Sequence, residues 1–118
     1  MGSSDDNEYT PAAAMPDYLI RHTTLRQLQV FEAIVRLGSF TRAAQELFLT
    51  QPTVSMQIKK LTDALGLPLF EHVGRKVEPT EAGLALYKSS RDIFEMLANL
   101  EMTVADLKGL KVGRLRMG

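Results

Sequence analysis

Apolar and polar positions between residues 38 and 65 form two helical patterns that are separated by a very short connection. The first pattern is short and carries Ala43 and Ala44, which are small enough to let another helix approach closely. At about 100° per residue, the apolar positions of the second pattern fall in one narrow stripe, made of Val54, Ile58, Leu61 and Leu65. The spacing therefore predicts two packed helices joined by a sharp turn, which is the layout of a helix-turn-helix.

The start of the second helix is marked by its own residues. Thr50 can accept a hydrogen bond from an otherwise unpaired backbone N–H, and Pro52 is tolerated in a first turn because its missing N–H would have no intrahelical partner. The helix is therefore predicted to begin near Gln51. In a helix-turn-helix, the first residues of the second helix reach base edges in the major groove, while the earlier helix crosses the backbone. This pattern indicates DNA binding.

Elements on either side complete the predicted domain. Thr24 and Gln27 form a capping box that opens an earlier helix ending at Gly38. The segment Gly66-Leu67-Pro68 ends the second helix of the pair, and residues 69–77 are typical of two short strands around a turn at residues 73–75. Three helices followed by such a hairpin predict a winged domain.

A long final helix is predicted from its cap at Thr80 through about Gly109. Its apolar positions recur at alternating spacings of four and three, the heptad rhythm of a coiled-coil seam, although Ser90 interrupts them; they are Leu86, Ile93, Leu97, Leu100, Val104 and Leu107. A helix of about 30 residues would be about 45 Å long, more than the winged domain can cover. The stripe therefore predicts dimerisation through this helix.

The first 22 residues differ in composition from the rest of the chain. Residues 1–20 carry four acidic residues and no Lys or Arg, whereas residues 21–80 carry eight Lys and Arg against five Asp and Glu. The formal net charge of zero thus hides a basic segment beside an acidic one. Residues 1–22, with two prolines and no amphipathic period, are predicted to be a disordered acidic extension.

Composition excludes several other classes of protein. The chain of 118 residues has no cysteine, so it forms no disulfide or thiolate metal site, and a reducing cytoplasm is compatible with it. No apolar run approaches the roughly 18 residues of a membrane helix, and no signal peptide begins the chain. His22 and His72 lie in unrelated segments without ligand spacing, and no phosphate-binding loop is present, so we expect no enzyme and no metal site.

Two long runs carry a resemblance to a known family: LRQLQVFEAIVRLGSFTRAAQELFLTQPTVSMQIKKL and GLPLFEHVGRKVEPTEAG. In their order and spacing they resemble the N-terminal domain of the LysR-type transcriptional regulators, and TQPTVSMQIKKL is most similar to the subgroup that controls carbon-fixation operons. The resemblance implies a mainly α fold, a winged helix-turn-helix at residues 23–79 and a dimerising linker helix at residues 80–110. Residues 111–118 then resemble the first strand of an effector-binding domain.

Further expectations rest on that resemblance. Its members bind double-stranded promoter DNA in the cytoplasm, pair through the linker helix and are often tetramers at full length. A small metabolite tunes them through the effector-binding domain. This chain is therefore expected to need no cofactor of its own, and to be part of a longer protein whose effector binds elsewhere.

The first turns of the second helix and the tip of the wing hold the candidates for reading bases. A side-chain amide at Gln51 can bond bidentately to adenine, although a glutamine at a helix start can also simply face water. Met56 stands where the family often has an arginine, so apolar contact with thymine methyls replaces guanine reading. The candidates for base contact are Gln51, Pro52, Thr53, Ser55, Met56 and Arg75.

Phosphate contacts are predicted around those positions. Ser39, Thr41 and Arg42 begin a helix whose N–H groups suit an anion, while lysines on a helix are equally often only solvated. His72 stands where many relatives have an arginine, so its contact is expected either to be weaker or to depend on protonation below about pH 6.5. The candidates for backbone contact are Arg26, Ser39, Thr41, Arg42, Thr50, Lys59, Lys60 and His72. The aromatic residues Phe31, Phe40, Phe48 and Phe70 are predicted to be core.

One alternative from another class stays open. The heptad helix could itself be the working surface, with the winged domain as a scaffold, in a protein–protein interaction module. Steeply salt-dependent binding to DNA favours the first interpretation, and salt-insensitive failure to bind any duplex favours the second.

Overall fold

The computed structural model describes residues 17–117, and the side chains of residues 17–109. Five helices and a two-stranded hairpin follow one another in the described part of the chain: α1 Asp17–His22, α2 Leu25–Leu37, α3 Phe40–Leu47, α4 Gln51–Leu65, β1 Phe70–Val73, β2 Lys76–Pro79 and α5 Glu81–Met117. The strands pair antiparallel, with Phe70 opposite Pro79 and Val73 opposite Lys76. We call residues 25–80 the head and the hairpin the wing. The predicted winged helix-turn-helix with a long following helix is confirmed.

Each helix of the head begins where the sequence supplies a cap. The hydroxyls of Thr24, Ser39 and Thr50 accept from the backbone N–H three residues later, at 3.0, 3.0 and 3.3 Å. Gln27 returns the bond by accepting from the N–H of Thr24, which completes the predicted capping box. Gly38 and Gly66 end α2 and α4 in the left-handed conformation that glycine adopts without strain.

The core lies where α2, α3 and α4 meet. Val30, Phe31 and Ile34 of α2 are fully buried against the apolar stripe of α4. Ala43 and Ala44 of α3 are buried as well, so their small side chains bring α3 close to α2. This packing fixes the polar face of α4 outward, and outward is where DNA can reach it.

The first four turns of α5 are held against the head. Gly83 sits so close to the chain that an added Cβ would lie 2.3 Å from the backbone oxygen of Leu69. Ser90 is fully buried, and its hydroxyl has no hydrogen-bond partner among the described residues. Leu86 packs on the core cluster of its own head, so it is less available to another subunit than the heptad pattern predicted.

Phe48 departs from its prediction as a core residue. It is 94% exposed and has φ of 57°, the left-handed conformation, as the C-cap of α3. Its backbone N–H bonds back to α3 and the chain turns at once into α4, so the side chain points away from both helices. The tight turn, rather than the apolar character of the side chain, decides its position. Phe31, Phe40 and Phe70 pack together as predicted.

Two predictions at the ends of the chain are corrected. Residues 17–22, expected to be disordered, form α1, which is docked by the Tyr18 hydroxyl donating to the carbonyl of Ala64 at 2.8 Å. Residues 112–117, expected to be a strand, continue α5. A helix satisfies its backbone hydrogen bonds internally, whereas a strand needs a neighbour, and the described residues offer none there. The acidic residues 1–16 lie outside the described residues.

Candidate nucleic-acid interface

The face of α4 opposite the core carries most of the predicted base-contacting side chains. Gln51, Pro52, Ser55 and Met56 are exposed, whereas Thr53 is half-buried. Met56 is 46% exposed and packs into no core, so its place on a polar face is not a structural requirement of the head. The arrangement leaves the first two turns of α4 free to meet a surface.

The side-chain amide of Gln51 is braced from α3. The Thr41 hydroxyl donates to Oε1 of Gln51 at 3.2 Å, across the corner where the two helix starts meet. This contact occupies one lone pair of the amide oxygen and leaves the other lone pair and both N–H donors free. The bond orients the Gln51 side chain at the helix start.

The wing lies across from that helix start and closes one side of a cleft. The cleft has a volume of about 910 Å³. Its lining brings together five predicted contact residues from three segments: Ser39 at the start of α3, Gln51 and Ser55 of α4, and His72 and Arg75 of the wing. Gly74, with φ of 65°, makes the hairpin tip next to Arg75. A glycine at this turn therefore lets the hairpin reverse without strain, with the exposed Arg75 beside it at the tip.

Other predicted backbone contacts lie outside the cleft. Lys59 and Lys60 are exposed further along α4, and Lys59 lies 3.5 Å from the carboxylate of Asp63 in a loose exposed ion pair. Arg42 is exposed on α3. Arg26 is turned toward its own chain, since its guanidinium donates to the Gln29 amide oxygen at 2.5 Å and to the Leu47 carbonyl at 3.5 Å.

Among the candidates, the capping hydroxyls of Thr50 and Ser39 differ in whether their O–H donor is free. Thr50 both accepts from the N–H of Thr53 and donates to its hydroxyl at 2.8 Å, so its donor is already used. Ser39 accepts from the N–H of Arg42 and keeps its own O–H. Only Ser39 can therefore still donate to a phosphate.

Lys76 is a cation that the sequence analysis missed. It follows Arg75, is exposed, and lines the same cleft as Gln51 and His72. The adjacent Arg75-Lys76 pair was the available signal, because it places two successive cations at the turn of the predicted hairpin. It adds positive charge to the wing.

An ion-pair network on the other side of the head ties three helices together. Arg36 of α2 donates to Glu32 of the same helix and to Glu46 of α3, and Arg91 of α5 reaches Glu32 at 3.3 Å. These bonds raise the pKa of Arg36 above its ordinary value, and the hydrogen bond from Arg36 lowers the pKa of Glu46. The network holds α5 at a fixed place on the head.

Beyond the head, most of the predicted dimerisation stripe is exposed among the described residues. Leu100 and Leu107 are each more than half exposed, Val104 is exposed, and Leu97 is half-buried beside the last contacts with α2. No described helix combines the length and the apolar character needed to cross a membrane.

The fold and the cleft define a class: a winged helix-turn-helix DNA-binding domain with a long helix attached. Residues 25–84 match the sequence profile of the bacterial regulatory helix-turn-helix protein, lysR family. The chain belongs to this family, as the sequence resemblance predicted.

Curated relatives include a regulator from the carbon-fixation subgroup that the sequence resembles. Over 98 residues the chain is 55% identical to the HTH-type transcriptional activator CmpR of Synechocystis sp., a match that covers 83% of this chain and 32% of the relative. Over 96 residues it is 50% identical to a RuBisCO operon transcriptional regulator of Allochromatium vinosum, covering 81% of this chain and 32% of the relative. The chain thus spans about a third of the length of these relatives.

Solved structures of DNA complexes share the fold. The DNA-binding domain of BenM bound to catB site 1 DNA is 36% identical with a TM-score of 0.62, covering 73% of this chain and 92% of that one. The CbnR DNA-binding domain in complex with DNA is 30% identical with a TM-score of 0.66, covering 72% and 98%. The described domain is therefore a helix-turn-helix DNA-binding domain of the lysR family. The curated relatives are transcription regulators.

Proposed function

We propose that this chain supplies sequence-specific recognition of double-stranded promoter DNA to a dimeric, cytoplasmic regulator. The start of α4 enters the major groove, and Arg75 at the wing tip enters the adjacent minor groove. The observation that carries this proposal is the cleft that places Gln51 and Ser55 of α4 opposite His72 and Arg75 of the wing. A duplex seated there meets hydrogen-bonding groups in one groove and a cation in the next.

Gln51 is assigned the central reading role. Braced by Thr41, its amide can accept from N6 of adenine and donate to N7 at the same time. Pro52, Thr53, Ser55 and Met56 extend the reading surface along the first two turns of α4.

Met56 contributes an apolar contact, because a thioether cannot donate a hydrogen bond to guanine. Replacing thymine by uracil removes only the methyl group, so uracil at the contacted step should weaken binding of the wild type more than that of Met56→Ala. If uracil at every thymine lowers the affinity of wild type and Met56→Ala equally, Met56 makes no contact with a thymine methyl.

Backbone contacts position the head. Lys59, Lys60, Arg42 and Lys76 are exposed cations around the reading surface, and Ser39 and Thr41 stand at the N-terminus of α3, whose N–H groups favour a phosphate. Arg26 and Thr50 are weaker contributors because their donors are engaged within the chain. His72 is exposed on the wing and can donate a ring N–H to a phosphate.

Two heads are joined through the exposed stripe of α5, from Ile93 to Leu107. Such a pair matches two half-sites spaced by about 34 Å per helical turn or a multiple of it. The name of the Allochromatium vinosum relative, a RuBisCO operon transcriptional regulator, supports carbon-fixation operons as the targets. Since those relatives are about three times as long, we also propose an effector-binding domain after α5, a small metabolite bound there, and assembly into tetramers at full length.

Fluorescence anisotropy with an operator selected from random duplexes tests recognition. Gln51→Ala should lose about 1 to 3 kcal/mol on the selected site and little on random duplex. Lys59→Ala is the matched control on the same helix, and it should weaken both duplexes alike and reduce the salt slope by about one. Equal losses on both duplexes for Gln51→Ala would contradict base reading.

Thr41 is tested on the same duplexes. Thr41→Val keeps the shape of the side chain and removes the brace, so it should lower discrimination between adenine and 7-deazaadenine at the Gln51 step. Thr41→Ser, which keeps the hydroxyl, should preserve it. If Thr41→Val instead weakens binding to adenine and 7-deazaadenine sites equally, Thr41 contacts a phosphate and does not orient Gln51.

A protein–protein interaction module remains the second candidate, because the stripe of α5 is exposed whether or not the head binds DNA. Binding to DNA that falls steeply with salt favours the regulator. Failure to bind any duplex between low and physiological salt, by a protein that is folded and dimeric, would favour the module.

A further inference from the structure

Helix α1 carries apolar side chains that the other described residues leave exposed. It is anchored by Tyr18, whose hydroxyl bonds to the end of α4, while Leu19 and Ile20 remain 44% and 56% exposed. These residues precede residues 25–84, which the family profile matches. A short helix held in place with two apolar side chains outward forms a surface that the core of the described residues does not explain.

Those side chains form one wall of an apolar groove of about 560 Å³ beside α5. Leu25 and Leu28 of α2 line it from the head, and Leu86 and Ile93 of α5 line it from the helix. Leu86 and Ile93 are also the first two members of the α5 stripe. The groove is therefore continuous with the surface through which two copies are proposed to pair.

The occupant follows from the geometry of the pair. In a parallel pair of α5 helices, both heads would compete for the space beside residues 81–97. In an antiparallel pair each head sits at its own end, and the free half of each helix meets the first half of the other. If the helices cross between Leu97 and Leu100, Val104 of one copy lies opposite Ile93 of the other. Leu107 of the first copy then lies about one helical turn closer to the head of the second copy, where the groove is.

We infer that α1 is a seat for the second subunit: Leu19 and Ile20 of one copy receive the apolar stripe of the partner copy's α5 around Val104 and Leu107. The inference rests on the dimer of the proposed function and adds to it a segment that lies before the family domain. Each dimer contains two such seats. α1 therefore strengthens pairing without touching the DNA-binding face.

Sedimentation over a concentration series tests the seat in the chain of 118 residues. Leu19→Ser with Ile20→Ser changes only exposed side chains, so the head stays folded, and it should raise the dimer dissociation constant by about tenfold to a hundredfold. Leu84→Ser is the matched control, because Leu84 is 54% exposed on the opposite side of α5 from Leu86. It should leave the dissociation constant unchanged.

Cysteine cross-linking locates the occupant, because the native chain has no cysteine. Ile20→Cys combined with Leu107→Cys should form a covalent dimer on mild oxidation, while Ile20→Cys combined with Leu84→Cys should not. A wild type that stays monomeric at micromolar concentration would overturn both the dimer and the seat. A dimeric wild type, with unchanged pairing in the serine variant and no cross-link, would overturn the seat alone.

Discussion

The two halves of α5 have similar composition and opposite surroundings. In the first half, Gly83 touches the backbone of Leu69, Ser90 is fully buried, and Arg91 bonds to Glu32 of the head. In the second half, Leu100, Met102 and Leu107 are all more than half exposed. The same helix thus completes the core of its own head at one end and offers an unfilled apolar surface at the other. Among the described residues, the first half of α5 is the part that packs on the core of the head.

The largest expected effect comes from a pair of glycines in α5, Gly83 and Gly109. Gly83→Ala forces a Cβ against the oxygen of Leu69 and should destabilise the head by about 3 kcal/mol or more. Gly109→Ala meets nothing within 4 Å and should stabilise the helix by up to about 1 kcal/mol. Urea unfolding of both variants measures the difference. A neutral Gly83→Ala would show that α5 is not fixed to the head.

Leu100→Asp should produce the next largest effect, and only on pairing. A charge in the proposed seam must be desolvated in the dimer, so the dissociation constant should rise by at least about a hundredfold, with operator affinity falling in parallel. Because Leu100 is 56% exposed in the single chain, the unfolding of the head at low concentration should not change. A variant that remains dimeric at micromolar concentration by sedimentation would show that the seam is misassigned.

Ser90→Ala tests the buried half with a smaller change. The native hydroxyl is fully buried without a partner among the described residues, so removing it should stabilise the head by about 1 kcal/mol. Thermal unfolding would show this as a higher Tm with unchanged dimerisation. A loss of stability would mean that the hydroxyl bonds to a group or a water not evident from the packing.

The smallest effect concerns pH and the network that ties α5 to the head. Hydrogen bonding from Arg36 lowers the pKa of Glu46, so this pair contributes stability above the unfolded value of about 4.3 and loses it as pH falls through the lowered pKa. Glu46→Gln should therefore lower Tm slightly at pH 7, and the difference should vanish in acid. In the Arg36→Met variant, the pKa of Glu46 measured by NMR titration should return to its ordinary range. A pKa of Glu46 that is the same in wild type and variant would show that Arg36 and Glu46 do not interact in solution.

Much of the head was predictable because local chemistry and packing agree there. Thr24, Ser39 and Thr50 are caps in the sequence and caps in the structure, and the stripe of α4 is buried as its period requires. Phe48 was mispredicted because a tight turn overrides hydrophobicity. Helix α1 was missed because its stability depends on a distant contact, from Tyr18 to Ala64, which no local pattern records.

The candidate site divides in the same way. The exposed face of α4 followed from its helical period, and the wing tip followed from Gly74 and Arg75. The bond from Thr41 to Gln51 depends on how α3 crosses α4, and the shared cleft depends on where the wing folds back, so neither could be read from spacing. The roles of these residues toward DNA remain predictions.

Hydrogen exchange of the backbone amides, followed at several protein concentrations, tests the division of α5 most directly. Amides of the head and of residues 83–94 should show the same protection at every concentration, because their packing is within one chain. Amides of residues 98–109 should exchange rapidly when the protein is dilute and become protected as dimers form. Equal protection of residues 98–109 at all concentrations would contradict the account.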